Sequence, residues 1–438
     1  MKKFIIILII IAISFGGYVV YVELSKNKFP PITTEKEKVS IDEYFIYGPH
    51  LSMKGTLTLE TVDFEEIDLV LYNKDLKLEK DDTEAKRFTS VPIIYEINEN
   101  NIEFSLSELI NEGLYLDDIK SNNYSMLIRT KHKELVEEEE KITYKYYALE
   151  NNTEYPETTY YTSSKSNRKI VINSNNDYNT MMLNITKNTD KLDVYDLVID
   201  PGHGGMDPGG VNGEDTEDKL TLEISLKLKS LLEEAGLKVK LTREEDTLDK
   251  NEYFGEYGAG GRAQISHEVY AKYLLSIHLN KNTSSKVRGI ELYTPSNINY
   301  DFAKSLVDNV VNNSSIEYST RKTFKQFDGV YTHNFTESEI QTAMQGYANK
   351  NYEPYDVTTN SSYLYMIRET GGIMTGAYVD NRNEEQTGND YYNSNIGAEA
   401  YLLELSYLSN SIDLNIIKQE QEEYIKAISN TIIDNFYK

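Results

Sequence analysis

Alternating apolar and polar positions dominate the first part of the chain. The clearest case is Ile102, Phe104 and Leu106, which are separated by single polar residues. Similar short segments lie at residues 56–59, 67–72 and 125–129. A period of two places apolar side chains on one face of a β-strand, and Asn, Asp and Gly bound these segments as turn residues. The pattern predicts a mainly-β, sandwich-like domain over residues 39–185.

From about residue 190 onward, apolar runs alternate with segments of helical spacing. Residues 194–200 form an apolar run that ends in an aspartate. The apolar positions that follow at helical spacing are Ile224, Leu228, Leu231, Leu232 and Ala235. We expect a strand and then a helix that begins near Thr216 and ends at Gly236. The alternation indicates an α/β domain over residues 190–438, with a mostly parallel sheet flanked by helices.

The N-terminus is the most continuously apolar stretch. Residues 4–22 carry no charge and follow Lys2 and Lys3. As a helix these 19 residues rise about 28 Å, close to the hydrocarbon thickness of a bilayer. The pattern predicts a transmembrane anchor at residues 1–23, with the rest of the chain outside the cytoplasm, and a polar tether at residues 24–38. An uncleaved anchor is favoured over a signal peptide that is removed, because no clear cleavage site follows.

Charge and cysteine content narrow the possible partners and metal ligands. The chain has 71 acidic residues against 45 basic ones, for a formal net charge of -26. Nucleic-acid binding requires a basic surface, so we exclude nucleic acid as a partner. There is no cysteine, which excludes disulfides, thiolate metal sites and cysteine nucleophiles. Any metal must be held by His, Asp or Glu, and the chain has only six histidines.

Three polar side chains occur where apolar runs reach their ends. His203 follows residues 197–200 in a glycine-rich loop, and His278 lies near the end of the run 273–280. Open α/β sheets place their binding sites at this edge. Glu404 is the single acid of another apolar run, and a buried carboxylate needs a partner such as a metal-bound water. The residues alone leave open a surface turn at His203 and a core histidine at His278.

In their order along the chain, these segments resemble the motifs of the zinc-dependent N-acetylmuramoyl-L-alanine amidases of the Amidase_3 type, a family of bacterial cell-wall hydrolases. The matching stretches are Asp200-Pro-Gly-His203-Gly-Gly, Glu217 at a helix start, Ser276-Ile-His278-Leu-Asn280 and Leu403-Glu404-Leu-Ser-Tyr-Leu-Ser-Asn410. In the last stretch Ser406 and Tyr407 replace the usual Gly-Phe. The resemblance implies His203, Glu217 and His278 as zinc ligands and Glu404 as the catalytic residue. Glu214 remains an alternative to Glu217, and an acidic first turn also suits the helix dipole.

The resemblance covers about residues 193–437. It includes three charged side chains that we expect to form scaffold ion pairs and not to act in catalysis: Arg243, Asp246 and Arg262. It is interrupted by an enlarged insert at residues 314–397, which is rich in Asn, Tyr, Thr and Gly. Long segments without obvious structure tend to be lids or binding loops. We expect His333, inside the insert, to lie at the surface and not to bind metal.

Two features outside the resemblance bear on the first domain. Residues 173–189 are mostly polar and predict a connector between the domains.

The β-rich part also has many tyrosines, including Tyr144, Tyr146, Tyr147, Tyr160 and Tyr161. We expect them to be core and cross-strand residues, while exposed rings that stack on wall glycans remain an alternative.

The resemblance implies hydrolysis of the amide bond between N-acetylmuramic acid and the L-alanine of the stem peptide in peptidoglycan. Two imidazoles and one carboxylate would hold Zn²⁺ with a position open, and Glu404 would move the proton. Two other functions stay open: a catalytically inactive, amidase-like protein that binds the wall or regulates, and another zinc hydrolase such as a carboxypeptidase. The predicted location is the outer face of the membrane through the N-terminal helix, or the cell wall if that segment is cleaved.

Overall fold

The structure is a computed structural model, and the part of the chain that it describes begins near the end of the predicted tether. It describes residues 34, 36–73, 87–106, 114–136, 139–174, 180–246, 260–350, 357–372, 391 and 394–436. The predicted anchor at residues 1–23 lies outside these ranges. Among the described residues, no helix combines the length and the apolar character needed to cross a bilayer.

The first part of the chain is mainly β, as its alternating pattern predicted. Its described strands are β1 (Lys38–Tyr47), β2 (His50–Thr58), β3 (Glu66–Asn73), β4 (Phe88–Val91), β5 (Ile94–Asn98), β6 (Asn101–Ser105), β7 (Leu114–Tyr115), β8 (Asn123–Val136), β9 (Glu139–Asn151), β10 (Glu157–Tyr161), β11 (Arg168–Ser174) and β12 (Met181–Lys187). Nine of them follow the order β10-β11-β12-β8-β9-β1-β2-β6-β5 in the sheet. The β1–β9 pair is parallel, whereas the adjacent β8–β9 and β1–β2 pairs are antiparallel. Apolar side chains from both halves of this path form one buried cluster, as in a sandwich.

The connector predicted at residues 173–189 is wrong, because most of it is strand. β11 continues to Ser174, and β12 pairs antiparallel with both β11 and β8. Met181, Leu183 and Ile185 are buried in the core of the first part. This alternation is present in the sequence, but it is short and follows an Asn-rich stretch that resembles a loop.

Most of the predicted core tyrosines are buried. Tyr147 and Tyr160 are at most 3% exposed, and Tyr146 and Tyr161 are also buried. Tyr144 alone among the five is exposed, at 44%. The core interpretation is therefore confirmed for four of them, and these rings are not available to stack on a sugar.

The second part of the chain is an α/β unit. Its described strands are β13 (Leu197–Pro201), β14 (Val211–Asn212), β15 (Asp215–Thr216), β16 (Val239–Leu241), β17 (Tyr273–Asn280), β18 (Glu291–Tyr293), β19 (Lys325–Phe327), β20 (Val330–Tyr331), β21 (Ile396–Gly397) and β22 (Glu399–Tyr407). Its described helices are α1 (Glu217–Glu234), α2 (Ile265–Glu268), α3 (Asp301–Asn313), α4 (Glu337–Lys350), α5 (Tyr365–Thr370), α6 (Ser411–Gln419) and α7 (Gln421–Phe436).

A seven-stranded sheet with the order β16-β13-β17-β22-β18-β20-β19 forms the centre of this unit. The four strands from β16 to β22 are parallel, whereas β18 runs antiparallel to β22 and β19 antiparallel to β20. The sheet is therefore mixed, although its site-bearing half is parallel as predicted. Apolar side chains of α1, α3 and α7 cover one face, and those of α2 and α5 cover the other.

Helix α1 departs from the prediction at its start. Thr216 precedes the helix in an extended conformation, but its side chain forms no capping hydrogen bond. At the other end Gly236 has φ +98°, a conformation that favours glycine after a helix. The start of α1 is instead fixed by the short β14–β15 hairpin before it.

The insert at residues 314–397 has more structure than its composition predicted. It contributes the hairpin β19–β20 to the edge of the sheet, and it contains α4 and α5. Near its end, β21 pairs parallel with β1 of the first part. Polar and aromatic residues in these elements do not produce a clear apolar period, which explains why the sequence did not reveal them.

Glu399 is a buried acid at the start of β22, with only 4% of its surface exposed. It accepts a hydrogen bond from the Tyr401 hydroxyl. Burial raises the pKa of Glu399 from 4.5 to about 7, against the opposing effect of that hydrogen bond. Because the folded pKa is raised, the contribution of Glu399 to stability is complete below its unfolded pKa and is lost as the pH rises through about 7.

We expect Glu399→Gln to weaken the dependence of the protein's stability on pH. Between about pH 5 and about pH 8, the free energy of unfolding of the variant should rise relative to the native protein by about 2 kcal/mol. Denaturant titrations at both pH values measure it, with the exposed Glu96→Gln as the control for loss of one carboxyl group. Equal pH dependence in the native protein and Glu399→Gln would contradict the assignment.

Candidate metal centre

The loop after β13 presents His203 in a constrained backbone conformation. His203 has φ +59°, a region that non-glycine residues seldom occupy and that is typical of functional sites. Gly202 precedes it, and a Cβ at Gly202 would lie 2.4 Å from His278 Cε1. The glycine is therefore required, because the loop backbone passes directly against the second histidine.

Three predicted residues from separate elements meet at this loop. Glu217 is the first residue of α1, and His278 lies near the carboxyl end of β17. Glu217 Oε1 is 3.1 Å from His203 Nε2 and 3.0 Å from His278 Nδ1. Ligand atoms of the three side chains lie within 4.8 Å of one another. No other such group occurs among the described residues.

The carboxylate of Glu217 is held in place by the backbone. Its Oε1 accepts the Leu279 N–H at 2.9 Å, and its Oε2 accepts the Gly210 N–H at 2.8 Å. The neighbouring Gly209 has φ +61°, and a Cβ there would lie 2.5 Å from His203 Cδ2. These contacts favour Glu217 over Glu214, which is exposed in the turn before the helix.

Asp207 is a member of the site that the sequence did not identify. Its Oδ2 lies 2.6 Å from His203 Nδ1, while its Oδ1 accepts the Gly209 N–H at 3.0 Å. A carboxylate on one ring nitrogen fixes the orientation of the imidazole and directs the other nitrogen to a ligand position. The only signal in the sequence was an acid four residues after His203 in the same loop.

The charges of this cluster suit a cation. Burial by itself lowers the pKa of His203, but the hydrogen bonds and charges of Glu217 and Asp207 outweigh it and raise that pKa to about 9. Burial opposes ionisation of Glu217, and the two histidines nevertheless hold the pKa of its carboxyl well below the usual range. The cluster thus stabilises positive charge between its members. Two imidazoles and one carboxylate at this spacing fit a divalent metal ion with a coordination position left open.

Glu404 lies beside the three predicted ligands. It is opposite His278 in the register of β17 and β22, and opposite Glu291 in that of β18 and β22. Its Oε2 is buried and forms no hydrogen bond with the described residues. Burial and the charges of Glu217 and Glu291 raise the pKa of Glu404 well above its usual value. An unpaired carboxyl oxygen in a buried position is energetically costly and is typical of a reactive group.

The predicted scaffold residues hold the His203 loop. Arg262 forms the expected ion pair, 3.6 Å from Asp200, and also donates to the His203 carbonyl at 2.8 Å. Arg243 donates instead to backbone carbonyls, including that of Gly202 at 2.9 Å. Asp246 accepts the Gly205 N–H at 3.2 Å. Only Arg262 thus forms an ion pair with the loop region, while the other two bind its backbone.

His333 lies apart from the cluster. Its Nε2 is 3.0 Å from Glu339 Oε1, and its ring is stacked between Phe324 and Tyr363. His333 is not one of the three clustered residues, and its lack of a metal role stays a prediction. The side chain is packed between rings, however, and not free at the surface.

The cluster opens into a pocket of about 350 Å³. His203, Glu217, His278 and Glu404 line one part of it, and the insert segment 363–366 lines another. A lid or binding loop is what the composition of the insert predicts, but no sequence pattern identifies residues 363–366 as the part that lines this pocket.

Replacing Asp207 tests its part in the site. Asp207→Asn should lower the affinity for Zn²⁺ by about 10- to 100-fold, the range found when the outer partner of a ligand histidine is removed. A chelator competition measures the affinity. Asp246→Asn, in which an acceptor for the same loop remains, is the matched control and should bind Zn²⁺ as the native protein does. Equal affinity in Asp207→Asn would show that Asp207 does not support His203.

The α/β unit carries two histidines, a glutamate and the buried Glu404 side chain where its parallel strands end. This arrangement is typical of a metal-dependent hydrolase. The sequence model described as Amidase_3, N-acetylmuramoyl-L-alanine amidase, matches residues 197–434, more than half of the chain. The chain belongs to this family.

Curated relatives agree with the family assignment. The germination-specific N-acetylmuramoyl-L-alanine amidase of Bacillus subtilis (strain 168) is 34% identical over 143 residues, which cover 31% of this chain and 59% of that protein. The N-acetylmuramoyl-L-alanine amidase AmiA of Escherichia coli (strain K12) is 32% identical over 102 residues, 23% of this chain and 32% of that protein. The matched segments thus span less than two thirds of either relative.

A comparison with solved structures also found a match to part of the chain. The catalytic domain of CwlV, an N-acetylmuramoyl-L-alanine amidase from Bacillus (Paenibacillus) polymyxa var. colistinus, is 22% identical and gives a TM-score of 0.36, covering 55% of this chain and 97% of that chain. A similarity at this level supports no functional conclusion.

Proposed function

We propose that this protein is a zinc-dependent peptidoglycan hydrolase that cleaves the amide bond between N-acetylmuramic acid and the L-alanine of the stem peptide. The observation that carries the proposal is the meeting of His203, Glu217 and His278 within 4.8 Å, in one pocket with Glu404. The family and its amidase relatives supply the substrate class.

The residues divide into a metal-holding group and a proton carrier. A zinc ion polarises a carbonyl, acidifies water and adds positive charge that lowers the pKa of nearby carboxyl groups. His203 through Nε2, His278 through Nδ1 and the Glu217 carboxylate would hold it, because these atoms face one another. Glu404 would take a proton from water and return it to the departing amine of L-alanine, since its Oε2 forms no hydrogen bond with any described residue.

Location follows from the N-terminal sequence. We propose that residues 1–23 anchor the chain in the membrane with the second part on the extracytoplasmic side, where its polymeric substrate is found. Cleavage of that segment would instead release the protein into the cell wall. Protease accessibility of the C-terminal part in intact cells, compared with lysed cells, distinguishes an outer location from an inner one.

The decisive experiment combines metal content with product analysis. The full chain, incubated with purified peptidoglycan, should release peptides that begin with L-alanine and should contain one zinc ion per chain. A carboxypeptidase would instead release single C-terminal amino acids. Zinc-loaded protein that binds peptidoglycan without releasing any product would support the alternative of an inactive wall-binding or regulatory protein.

A further inference from the structure

Tyr363 presents an aromatic ring beside the candidate metal centre. It lies in the insert just before α5, is 43% exposed, and lines the same pocket as His203, His278 and Glu404. A large, partly exposed aromatic ring at the wall of a pocket is typical of a binding surface. The ring therefore lies where the proposed substrate would be cleaved.

The ring of Tyr363 belongs to a stack of three. It packs on His333 with ring centroids 4.3 Å apart and planes 12° from parallel, and His333 packs on Phe324 at 3.7 Å. Glu339 fixes the central ring through His333 Nε2. Burial is the main cause of a lowered pKa for His333, so the stack has a neutral imidazole at its centre. His333 therefore covers one face of Tyr363, and Phe335 makes a T-shaped contact with the same ring at 5.1 Å. The residue nevertheless keeps 43% of its surface exposed.

The backbone of this segment is also held on both sides. The Tyr363 N–H donates to the His333 carbonyl at 2.8 Å. The buried Arg368 guanidinium donates to the carbonyls of Ser362 and Tyr363 at 2.8 and 2.9 Å. Because these hydrogen bonds fix the backbone at Tyr363, its ring loses little conformational entropy when a ligand packs on it.

We propose that Tyr363 forms a sugar-stacking subsite, in which its pocket-facing ring packs against the pyranose ring of the N-acetylmuramoyl residue. This inference rests on the proposed function, which brings the muramoyl carbonyl to the metal centre. The C–H face of a pyranose is apolar and similar in size to an aromatic ring, so the two surfaces exclude water from each other. An uncharged ring provides no counter-ion for a peptide carboxylate, whereas Lys281 in the same pocket does.

Binding without turnover tests the subsite directly. In a Glu404→Gln background, Tyr363→Ala should weaken muramyl dipeptide binding by about 10-fold, the effect of losing about 1.4 kcal/mol of ring contact. Binding of the same dipeptide without the sugar should not change. Tyr363→Phe should bind as the parent does, because stacking needs the ring and not the hydroxyl. Isothermal titration calorimetry measures all six combinations of the three proteins with the two ligands.

The matched control is Phe327→Ala, which removes another exposed ring of the insert, 45% exposed, that does not line the pocket. It should leave binding of both ligands unchanged. With Glu404 restored, Tyr363→Ala should raise KM for soluble muropeptides by about 10-fold and leave kcat within about 2-fold. Tyr363→Leu keeps an apolar side chain but removes the ring, and it should raise KM as much as Tyr363→Ala does, because stacking requires the ring.

The outcomes separate the subsite from the catalytic proposal. Suppose that the native protein hydrolyses peptidoglycan, but Tyr363→Ala leaves the binding of both ligands unchanged or weakens the binding of both equally. The sugar subsite is then overturned and the proposed function stands. If no hydrolysis occurs yet Tyr363→Ala selectively weakens muramyl dipeptide, the subsite stands and the catalytic proposal is overturned. Failure of Glu404→Gln to bind muramyl dipeptide at all also overturns the subsite.

Discussion

Glu404→Gln should abolish hydrolysis while leaving the metal in place. Proton transfer by a positioned side chain contributes about 10²- to 10⁴-fold, so we expect turnover to fall by that factor. Glutamine has the same shape but does not accept a proton at neutral pH. Because Glu404 is not one of the three clustered ligands, zinc content should stay at the native value. Release of dye from labelled peptidoglycan and elemental analysis of the same samples measure the two quantities.

Stability provides a second readout for this variant. The Oε2 atom of Glu404 is buried and has no hydrogen-bond partner among the described residues. Glutamine places an uncharged polar group of the same shape in the same position, so Tm should stay close to the native value. Glu96→Gln, on the exposed strand β5, is the control and should retain full activity. Native turnover in Glu404→Gln would remove Glu404 from the mechanism.

Three of the four candidate site residues have local signals in the sequence. His203, His278 and Glu404 each interrupt or end an apolar run, and parallel strands bring such ends to one edge of a sheet. The register confirms this for two of them, since His278 and Glu404 are directly opposite on β17 and β22. Their roles were implied by the family resemblance, not by the pattern.

Other parts of the site depend on contacts that no local pattern reveals. Glu214 and Glu217 are both acids near a helix start, and only the β14–β15 hairpin before α1 turns the second one inward. Asp207 takes part because the loop folds back on His203. Tyr363 reaches the pocket through the insert, whose stacking and backbone bonds join residues about thirty positions apart.

The same limit applies to the fold. Strand direction is set by the route of the chain between strands, and the apolar run at β18 is the same whether it pairs parallel or antiparallel. The expectation of a mostly parallel sheet holds for four of its six strand pairs, but the sequence did not reveal the two antiparallel pairs, β18 with β22 and β19 with β20. The missed strand β12 has only three buried alternating residues, too few to stand out beside polar neighbours.

His278→Ala should remove the metal altogether. Losing an outer partner of a ligand histidine lowers affinity by about 10- to 100-fold, and losing the ligand itself should exceed the upper end of that range. Hydrolysis should fall to background at the same time. Chelator competition and dye release measure both effects. His333→Ala, which removes a histidine outside the cluster, should bind zinc normally, and native zinc content in His278→Ala would contradict the ligand assignment.

Gly202→Ala tests the same centre without changing any ligand. Only a methyl group is added, but its carbon would lie 2.4 Å from His278 Cε1 and 2.6 Å from both ring nitrogens. Gly202 is not among the glycines with positive φ, so alanine suits the backbone and the clash falls on the imidazole. We therefore expect zinc affinity to drop by at least about 10-fold, as for other displaced ligands, with an unchanged circular dichroism spectrum. If Gly202→Ala bound zinc as tightly as the native protein, the ring of His278 would not be confined by this loop, and the geometry of the centre would have to be revised.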